Sequence, residues 1–329
     1  MKYSIIIPVY NRPDEVDELL SSLLLQHFKD FEVIVVEDGS VLPCKEVVRK
    51  YESQLDIHYL WKENGGPSAA RNMGVEACKG DYVLILDSDC VVPDGYIEAI
   101  EKELQTNPCD AFGGPDKANA AFTPLQKAIS YTMTSFFTTG GIRGGKRKMD
   151  KFYPRSFNMG VRTSCYKALG GFSNMRFGED IDFSLRIFEA AYSCRLFPDA
   201  WVWHKRRTDF KKFFRQVINS GIARVNLTKR HPGSLKLVHL LPSVFFIGVV
   251  VLLLGSIFCL YSLLPLILYS FLIFVGASVK EKSLKVGLLA IPSAFVQLGG
   301  YGIGFLWGFF CRYVLKKEEF GAFQRTFYK

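Results

Sequence analysis

The chain has 329 residues, 49% of them hydrophobic, and this apolar content excludes an extended disordered protein. Its formal net charge of +9 suits either nucleic acid or an anionic membrane surface as a partner. The eight cysteines are scattered without paired spacing, which excludes a metal-ribbon framework and fits a reduced, cytosolic domain best.

Strands and helices alternate along the N-terminal part of the sequence. The first residues lead directly into a strand, so no signal peptide is predicted. Apolar spacing predicts, in chain order, a strand over 4–9, a helix over 14–27, a strand over 31–36, a helix over 45–51 and a strand over 57–60. After a loop at 64–67, Ser68 is expected to cap a helix that runs to about Ala77. This alternation of strands and helices predicts a parallel sheet with right-handed crossovers, and therefore an α/β fold.

The next strand ends in two carboxylates. An apolar run over residues 83–86 stops at Asp87, Ser88 and Asp89. Such a run is typical of an inner strand of a parallel sheet, and open α/β sheets bind ligands at the carboxyl ends of their strands. Paired carboxylate oxygens suit a hard divalent cation. An isolated triplet of this kind would be ordinary turn chemistry, so its neighbours decide between the two interpretations.

Two further segments before residue 205 carry candidate polar groups. Glu179 and Asp180 follow Gly178 and precede an amphipathic helical segment. Taken alone they would be ordinary acids of a first helical turn, where the helix dipole favours negative charge. His204 follows the aromatic stretch 201–203. A lone histidine after aromatic residues is more often structural than a metal ligand.

The C-terminal part of the chain is predicted to be a membrane domain. A basic amphipathic helix over about 208–228 either lies in the membrane interface or is a core helix with solvated lysines. Residues 237–279 contain no Lys, Arg, Asp or Glu, and a run of roughly 40 residues is long enough for two membrane-spanning helices. The uncharged run 286–311 is interrupted by Pro292 and several glycines, which favours a third segment that is bent or re-entrant.

Basic residues gather beside these apolar runs. Under the positive-inside rule this distribution places the soluble domain on the cytoplasmic side of a multi-pass protein of the inner (cytoplasmic) membrane. We therefore expect a catalytic domain over 1–234, a membrane domain over 235–315 and a basic tail over 316–329. Membrane lipids are expected partners, and nucleic acid is not, because the basic residues do not follow one aromatic groove.

Five motifs occur in a fixed order along the soluble part, at residues 6–11, 35–40, 64–72, 87–89 and 178–180. Together they resemble the family 2 glycosyltransferases with a GT-A fold, and the match covers residues 3 to about 205. The resemblance implies a nucleotide-sugar-binding, Rossmann-like mixed sheet with helices on both faces. In this chain that domain would be followed by C-terminal transmembrane helices.

The resemblance also implies how a nucleotide sugar is bound. Pro8, Tyr10 and Asn11 would line the pocket for the nucleobase and ribose, and Asp38 would accept hydrogen bonds from the base. Arg71 would lie close to the nucleotide, where a guanidinium can hold a phosphate or stack on a base.

A second set of roles concerns the metal and the reaction. Asp87 would contact the ribose and the metal shell, with Ser88 as a further contact to the nucleotide sugar. Asp89 would ligate Mg²⁺ or Mn²⁺ directly, and His204 is the candidate for a further ligand. Asp180, beside Glu179, would be the base that takes the proton of the acceptor, and direct displacement would invert the anomeric centre.

The predicted function is metal-dependent, inverting transfer of a sugar from a nucleotide sugar, with a UDP-linked donor favoured. The expected acceptor is a hydroxyl of a lipid-linked or growing glycan, in cell-surface polysaccharide or glycan synthesis. Processive synthesis is not expected, because the residues from Gln216 onward do not form the Gln-x-x-Arg-Trp pattern of processive synthases. Two alternatives remain: a polyprenyl-phosphate glycosyltransferase, whose acceptor needs no base, and a catalytically inactive membrane scaffold.

Overall fold

A computed structural model describes residues 1–117, 122–139, 152–175, 177–205 and 208–319. These residues form two compact units, unit 1 over 1–117, 152–175 and 177–205, and unit 2 over 122–139 and 208–319. Most of the predicted basic tail lies outside the described residues.

Ten strands and twelve α-helices are described. The strands are β1 (Tyr3–Val9), β2 (Phe31–Asp38), β3 (Ile57–Lys62), β4 (Tyr82–Leu86), β5 (Cys90–Val91), β6 (Ala111–Gly113), β7 (Asp116–Lys117), β8 (Asn158–Arg162), β9 (Cys194–Leu196) and β10 (Val202–His204). The helices are α1 (Pro13–Leu24), α2 (Lys45–Arg49), α3 (Pro67–Ala77), α4 (Tyr96–Thr106), α5 (Pro124–Thr134), α6 (Phe136–Thr139), α7 (Thr163–Ala168), α8 (Glu179–Glu189), α9 (Phe210–Arg230), α10 (Leu241–Gly255), α11 (Leu264–Glu281) and α12 (Leu284–Phe309).

Unit 1 is built on a seven-stranded mixed sheet with the order β3-β2-β1-β4-β8-β6-β9. Strands β1 to β4 pair in parallel, whereas β8 runs antiparallel to both β4 and β6. A small second sheet has the order β5-β10-β7. The predicted α/β fold with a mixed sheet is confirmed, and the antiparallel β8 is what makes the sheet mixed rather than purely parallel.

Helices cover both faces of the main sheet, as predicted. On one face Ile5 and Val33 are buried in the apolar cluster to which α1 and α4 contribute. On the other face Ile6 and Ile34 are buried with apolar residues of α3 and α8. Successive side chains of a strand point to opposite faces, so the continuous apolar runs of β1 and β2 supply both layers at once.

The predicted start of helix α3 is wrong. Gly66, and not Ser68, is the N-cap, and its φ of +90° suits glycine. Pro67 occupies the first helical turn, where its missing N–H costs nothing. Ser68 lies one position further along, buried, and its hydroxyl has no hydrogen-bond partner among the described residues.

Unit 2 contains three helices that are long and apolar enough to cross a membrane, over Leu237–Gly255, Leu260–Glu281 and Leu284–Val314. The first two agree with the predicted spans. The third is a continuous helix through Pro292, and whether it crosses a membrane completely stays a prediction. Membrane association is therefore indicated by length and composition.

Helix α9 lies where an amphipathic helix is predicted. Its apolar residues Phe213 and Val217 are buried inside unit 2. Glycines of α12 form the opposing surface, since a Cβ at Gly304 would lie 2.1 Å from the Ile218 carbonyl oxygen. The burial favours the core-helix alternative for α9, and a position in the membrane interface stays a prediction.

Candidate active site

The candidate residues of unit 1 gather at the edge of the main sheet where the parallel strands end. Strand β1 ends at Val9, β2 at Asp38 and β4 at Leu86. The carboxyl ends of parallel strands share one edge, so Tyr10, Asn11 and the triplet 87–89 follow side by side. Pro8 and Tyr10 are half-buried there, and Ser88 is buried.

Asp38 is enclosed by the loop before α3. Its Oδ1 accepts hydrogen bonds from Lys62 Nζ at 2.7 Å and from the Gly65 N–H at 2.8 Å. Its Oδ2 accepts from the Gly66 N–H at 2.7 Å and from Asn64 Nδ2 at 3.3 Å. A carboxylate has about four acceptor positions, so Asp38 uses all of them, three for this loop and one for Lys62 at the end of β3.

Asn11 performs a similar task on the neighbouring loop. Its Oδ1 accepts from the backbone N–H groups of Val41 at 2.7 Å and Leu42 at 3.0 Å. Its own N–H donates to Ser40 Oγ at 2.7 Å. The backbone of Asn11 has a φ of +54°, a conformation that asparagine tolerates better than most residues. The two loops that enclose the edge of the sheet are therefore each organised by one predicted binding residue.

Arg71 joins two of the candidate acids. It is 3% exposed, and it donates from Nη2 to Asp87 Oδ1 at 2.7 Å and from Nη1 to Glu179 Oε1 at 3.0 Å. Burial opposes the charge on the guanidinium, but the two carboxylates outweigh it and raise the pKa of Arg71. Burial and the neighbouring Asp180 raise the pKa of Glu179 against the opposite effect of Arg71.

Asp180 stands next to this bridge at the start of α8. The helix begins after Gly178, whose φ of +85° lets the chain turn into the first helical residue Glu179. Asp180 Oδ2 accepts a hydrogen bond from Arg155 Nη1 at 3.1 Å. Its Oδ1 accepts a hydrogen bond from the Ile181 N–H at 2.8 Å, so both oxygens of this 15% exposed side chain are oriented at the rim of the site.

Asp89 and His204 meet through the small sheet. Strand β10 pairs antiparallel with β5, which places His204 opposite Cys90 and beside Asp89. His204 Nε2 lies 3.2 Å from Asp89 Oδ1, and the imidazole stacks on the Phe157 ring with centroids 4.8 Å apart. Arg12 Nη1 donates to the other oxygen of Asp89 at 2.8 Å.

The Asp89 and His204 pair fits a divalent cation. In an octahedral site with bonds of about 2.1 Å, neighbouring ligand atoms lie about 3.0 Å apart, close to the separation found here. The adjacent Cys90 is a poor third ligand, because its Sγ–H donates to the Phe157 carbonyl oxygen at 3.5 Å. Burial and the nearby carboxylates also raise the pKa of this thiol well above its usual range. The carboxylate oxygen suits Mg²⁺ or Mn²⁺, and the imidazole nitrogen beside it fits Mn²⁺ better than Mg²⁺.

The structure brings all the predicted acids and Arg71 to one edge, and it adds three cations that the sequence analysis missed. Arg12 contacts Asp89, Lys62 contacts Asp38 and Arg155 contacts Asp180. Arg12 directly follows the first motif, so its position was a usable signal. Arg155 lies outside every motif, and only the fold brings it to α8.

Comparisons with known proteins agree with this architecture. Residues 4–169 match the family model for glycosyl transferase family 2. The pre-mycofactocin glycosyltransferase of Mycobacterium tuberculosis is 30% identical over 232 residues, which are 70% of this chain and 48% of that protein. An uncharacterized glycosyltransferase of Rickettsia felis is 39% identical over 106 residues, 32% of this chain and 18% of that protein. The chain thus spans less than half the length of these relatives.

Two solved structures share the fold. The mannosyltransferase PcManGT from Pyrobaculum calidifontis, in complex with GDP-Man and Mn²⁺, has a TM-score of 0.63 at 18% identity, with 93% of this chain and 87% of that chain covered. Residues 1–349 of S. aureus TarS, in complex with UDP-GlcNAc, have a TM-score of 0.50 at 22% identity, with 69% and 67% covered. At these identities the likeness shows the GT-A fold alone.

Proposed function

Because the chain belongs to glycosyl transferase family 2, we propose that it transfers a sugar from a nucleotide sugar to an acceptor hydroxyl. The observation that carries the proposal is the arrangement of acids at one sheet edge. Arg71 bridges Asp87 and Glu179, and Asp89, in the same triplet as Asp87, lies beside His204 of β10. The four carboxylates at this edge and their three guanidinium partners can accept a divalent cation and a nucleoside diphosphate together. The positive charge of the ion nearly cancels the negative charge of the diphosphate.

The donor is proposed to be a UDP-sugar bound between the two loops. Pro8, Tyr10 and Asn11 would line the pocket for the base and ribose, and Asp38 would accept from the base. Since Asp38 already accepts four hydrogen bonds, the base would replace the Lys62 ammonium, which also donates to the Glu63 carbonyl oxygen at 2.6 Å. The neighbours TarS and PcManGT bind UDP-GlcNAc and GDP-Man, which supports a nucleoside diphosphate sugar and makes the base the first quantity to test.

The metal is proposed to be Mn²⁺ or Mg²⁺ on Asp89, with His204 as the further ligand and with Asp87 and Ser88 in the surrounding shell. When bound, the ion would neutralise charge on the leaving diphosphate. Arg12 holds one oxygen of Asp89 and also contacts Glu15 at 2.9 Å, so it can stay paired when Asp89 turns toward the ion.

Asp180 is proposed to be the base. It would take the proton of the acceptor hydroxyl while the hydroxyl oxygen attacks the anomeric carbon, and one displacement inverts that centre. Arg155 orients the carboxylate, and Glu179 remains bound to Arg71. The acceptor is proposed to be lipid-linked or a growing glycan, in cell-surface polysaccharide or glycan synthesis.

The placement in the cell is part of the same proposal. The catalytic domain over 1–234 would face the cytoplasm, the membrane domain over 235–315 would lie in the inner membrane, and residues 316–329 would form a basic tail. The apolar helices of unit 2 support membrane attachment, and the lysines near residues 280–285 support the orientation.

Nucleotide binding is the first experiment. We would titrate detergent-solubilised protein with UDP, GDP and dTDP, with and without Mn²⁺, and repeat the titration with Asp89→Ala. Metal-dependent binding of UDP that is lost in Asp89→Ala is the expected result. Metal-dependent binding of another nucleotide would change the donor, and binding of none of the three would favour the inactive scaffold.

Sugar transfer then separates the two catalytic alternatives. We expect Asp89→Ala and Asp180→Asn each to lower transfer by at least about a hundredfold, the usual contribution of a positioned acid or base. Asp94→Asn, on a side chain that is 73% exposed, is the matched control and should transfer normally. Activity retained in Asp180→Asn but lost in Asp89→Ala would favour a polyprenyl-phosphate acceptor, and activity retained in both would exclude the proposal.

A further inference from the structure

The opposite edge of the main sheet, where β1, β2 and β3 begin, carries a second group of titratable side chains. Glu32 is the second residue of β2 and is completely buried. His58 is the second residue of β3, and Asp56 directly precedes that strand. His58 Nε2 is 3.2 Å from Asp56 Oδ1 and 3.5 Å from Glu32 Oε2. The group is separate from the candidate active site, which lies where the strands end.

The two oxygens of Glu32 have different surroundings. Oε1 accepts hydrogen bonds from Ser4 Oγ at 2.6 Å and from the Lys79 N–H at 2.7 Å. Oε2 is shielded from solvent and makes no hydrogen bond within the described part of the chain. The Lys79 ammonium is 3.9 Å from Oε2, on a side chain that is 64% exposed. Burying an ionised carboxylate is unfavourable without a close cation. A cation bound at Oε2 would therefore be stabilised there.

The imidazole of His58 is oriented in the same manner. Its Nε2 is also shielded and, among the described residues, makes no hydrogen bond despite the two nearby carboxylate oxygens. Contacts at this distance without hydrogen-bond direction are expected when atoms surround a common ion. In a tetrahedral zinc site with bonds of about 2.0 to 2.2 Å, neighbouring ligand atoms are about 3.3 to 3.6 Å apart. The three ligand atoms here all lie within 4.8 Å of one another.

We propose that Glu32, Asp56 and His58 form a second cation site, for a divalent transition metal of the Zn²⁺ class. One imidazole nitrogen and two carboxylate oxygens are ligands that Zn²⁺ accepts, with water in the fourth position. The hydrogen bonds from Ser4 and Lys79 to Glu32 are the outer contacts that orient such a ligand. A bound ion would join β2 to the edge strand β3, so its effect is on the stability of unit 1 rather than on sugar transfer.

Zinc binding to the full chain in detergent tests the proposal. The titration uses metal-free protein in an Asp89→Ala background, which removes the candidate active-site metal. We expect one Zn²⁺ per chain, and an affinity at least about tenfold lower when His58→Gln is added. His27→Gln is the matched control, because His27 also lies beside a carboxylate, 3.6 Å from Asp94, but is 78% exposed. It should bind Zn²⁺ as the background protein does.

A second variant keeps the test decisive if His58→Gln folds poorly. The Asp56 side chain is 47% exposed, so Asp56→Asn leaves the core intact. Zn²⁺ should raise the thermal midpoint of the Asp89→Ala protein, as any ligand of the folded state does, and this rise should be lost when Asp56→Asn is added. Equal Zn²⁺ affinity in the His58→Gln and His27→Gln proteins would overturn the proposal, as would absence of Zn²⁺ binding in the Asp89→Ala protein.

Discussion

Arg71 is the residue on which the candidate active site depends most. Its guanidinium is 3% exposed and contacts one acid after β4 and another at the start of α8. A planar guanidinium can donate to two carboxylates at once, whereas the ammonium of lysine is a single point charge. Removing one partner of a buried charge pair leaves the other charge without compensation. Arg71 is therefore expected to stabilise unit 1 in addition to its proposed role in nucleotide binding.

We expect Arg71→Met to lower the free energy of unfolding by about 3 to 5 kcal/mol, the usual cost of breaking a buried ion pair. Chemical denaturation in detergent, followed by tryptophan fluorescence, measures the change. Arg49→Met is the control, because Arg49 pairs with Glu46 on the surface and exposed pairs contribute little. Equal midpoints for the two variants would show that the bridge does not stabilise unit 1.

Glu179 makes the stability of this site depend on pH. Since burial raises its pKa above that of the unfolded chain, the folded state holds the proton more tightly. The corresponding stabilisation is present at low pH and is lost as the pH rises through the folded pKa. The thermal midpoint of the wild type, measured relative to Glu179→Gln, should therefore fall as the pH rises above the ordinary pKa of a glutamate, about 4.3. A difference that is constant or increases with pH would contradict the raised pKa.

Close helix packing characterises unit 2 at the level of its elements. Three of the α12 glycines, Gly300, Gly304 and Gly308, lie against α9, whereas Gly302 lies against α10. A Cβ at Gly304 would meet the Ile218 backbone, and one at Gly300 would meet the Val217 side chain at 2.5 Å. Small residues at such positions let helix backbones approach each other closely.

A methyl group added at this interface should separate the two helices. We expect Gly304→Ala to destabilise the protein by about 1 to 3 kcal/mol, the usual cost of overpacking. Gly248→Ala, in α10, is the control, since no described atom lies within 4 Å of the added Cβ. Gly248→Ala should be neutral or slightly stabilising, because alanine favours a helix more than glycine does. Thermal unfolding in detergent compares the two variants, and a loss of the same size in both would contradict the packing explanation.

The distribution of charge along the whole chain underlies the proposed membrane orientation. The apolar helices of unit 2 carry few charged residues, and lysines occur between the second and third of them. Positive charge beside membrane segments is retained on the cytoplasmic side. The connection between α10 and α11 should then face the opposite side, and it contains the exposed Cys259.

A membrane-impermeant maleimide added to intact cells, or to spheroplasts where an outer membrane is present, should label Cys259. Cys259→Ser should abolish the labelling, because the remaining cysteines would be cytoplasmic or buried. Ser283→Cys in the Cys259→Ser background should react only after the membrane is permeabilised. Labelling of the Ser283→Cys protein without permeabilisation would reverse the proposed orientation.

Much of the fold was determined by the sequence alone. Short apolar runs located strands β1 to β4, helical apolar spacing located α1 and α8, and a long uncharged run located the first two long helices of unit 2, because each pattern reflects which faces of an element are buried. The five motifs predicted the fold class and the family, and they lie at one edge because parallel strands end together. The ends of the helices were predicted less accurately. Ser68 is not the N-cap of α3, because capping depends on the local backbone conformation as well as on the residue type.

The tertiary structure alone decided which charges meet. Arg155 reaches Asp180, and His58 reaches Glu32, across strands and loops whose sequence separation gives no periodic signal. It also decided that Gly300 and Gly304 of α12 pack against α9. Local patterns determine which face of an element is buried, but the partner on that face is chosen by long-range packing. The ligands of each proposed metal site come from different segments, so neither site is encoded by one segment alone.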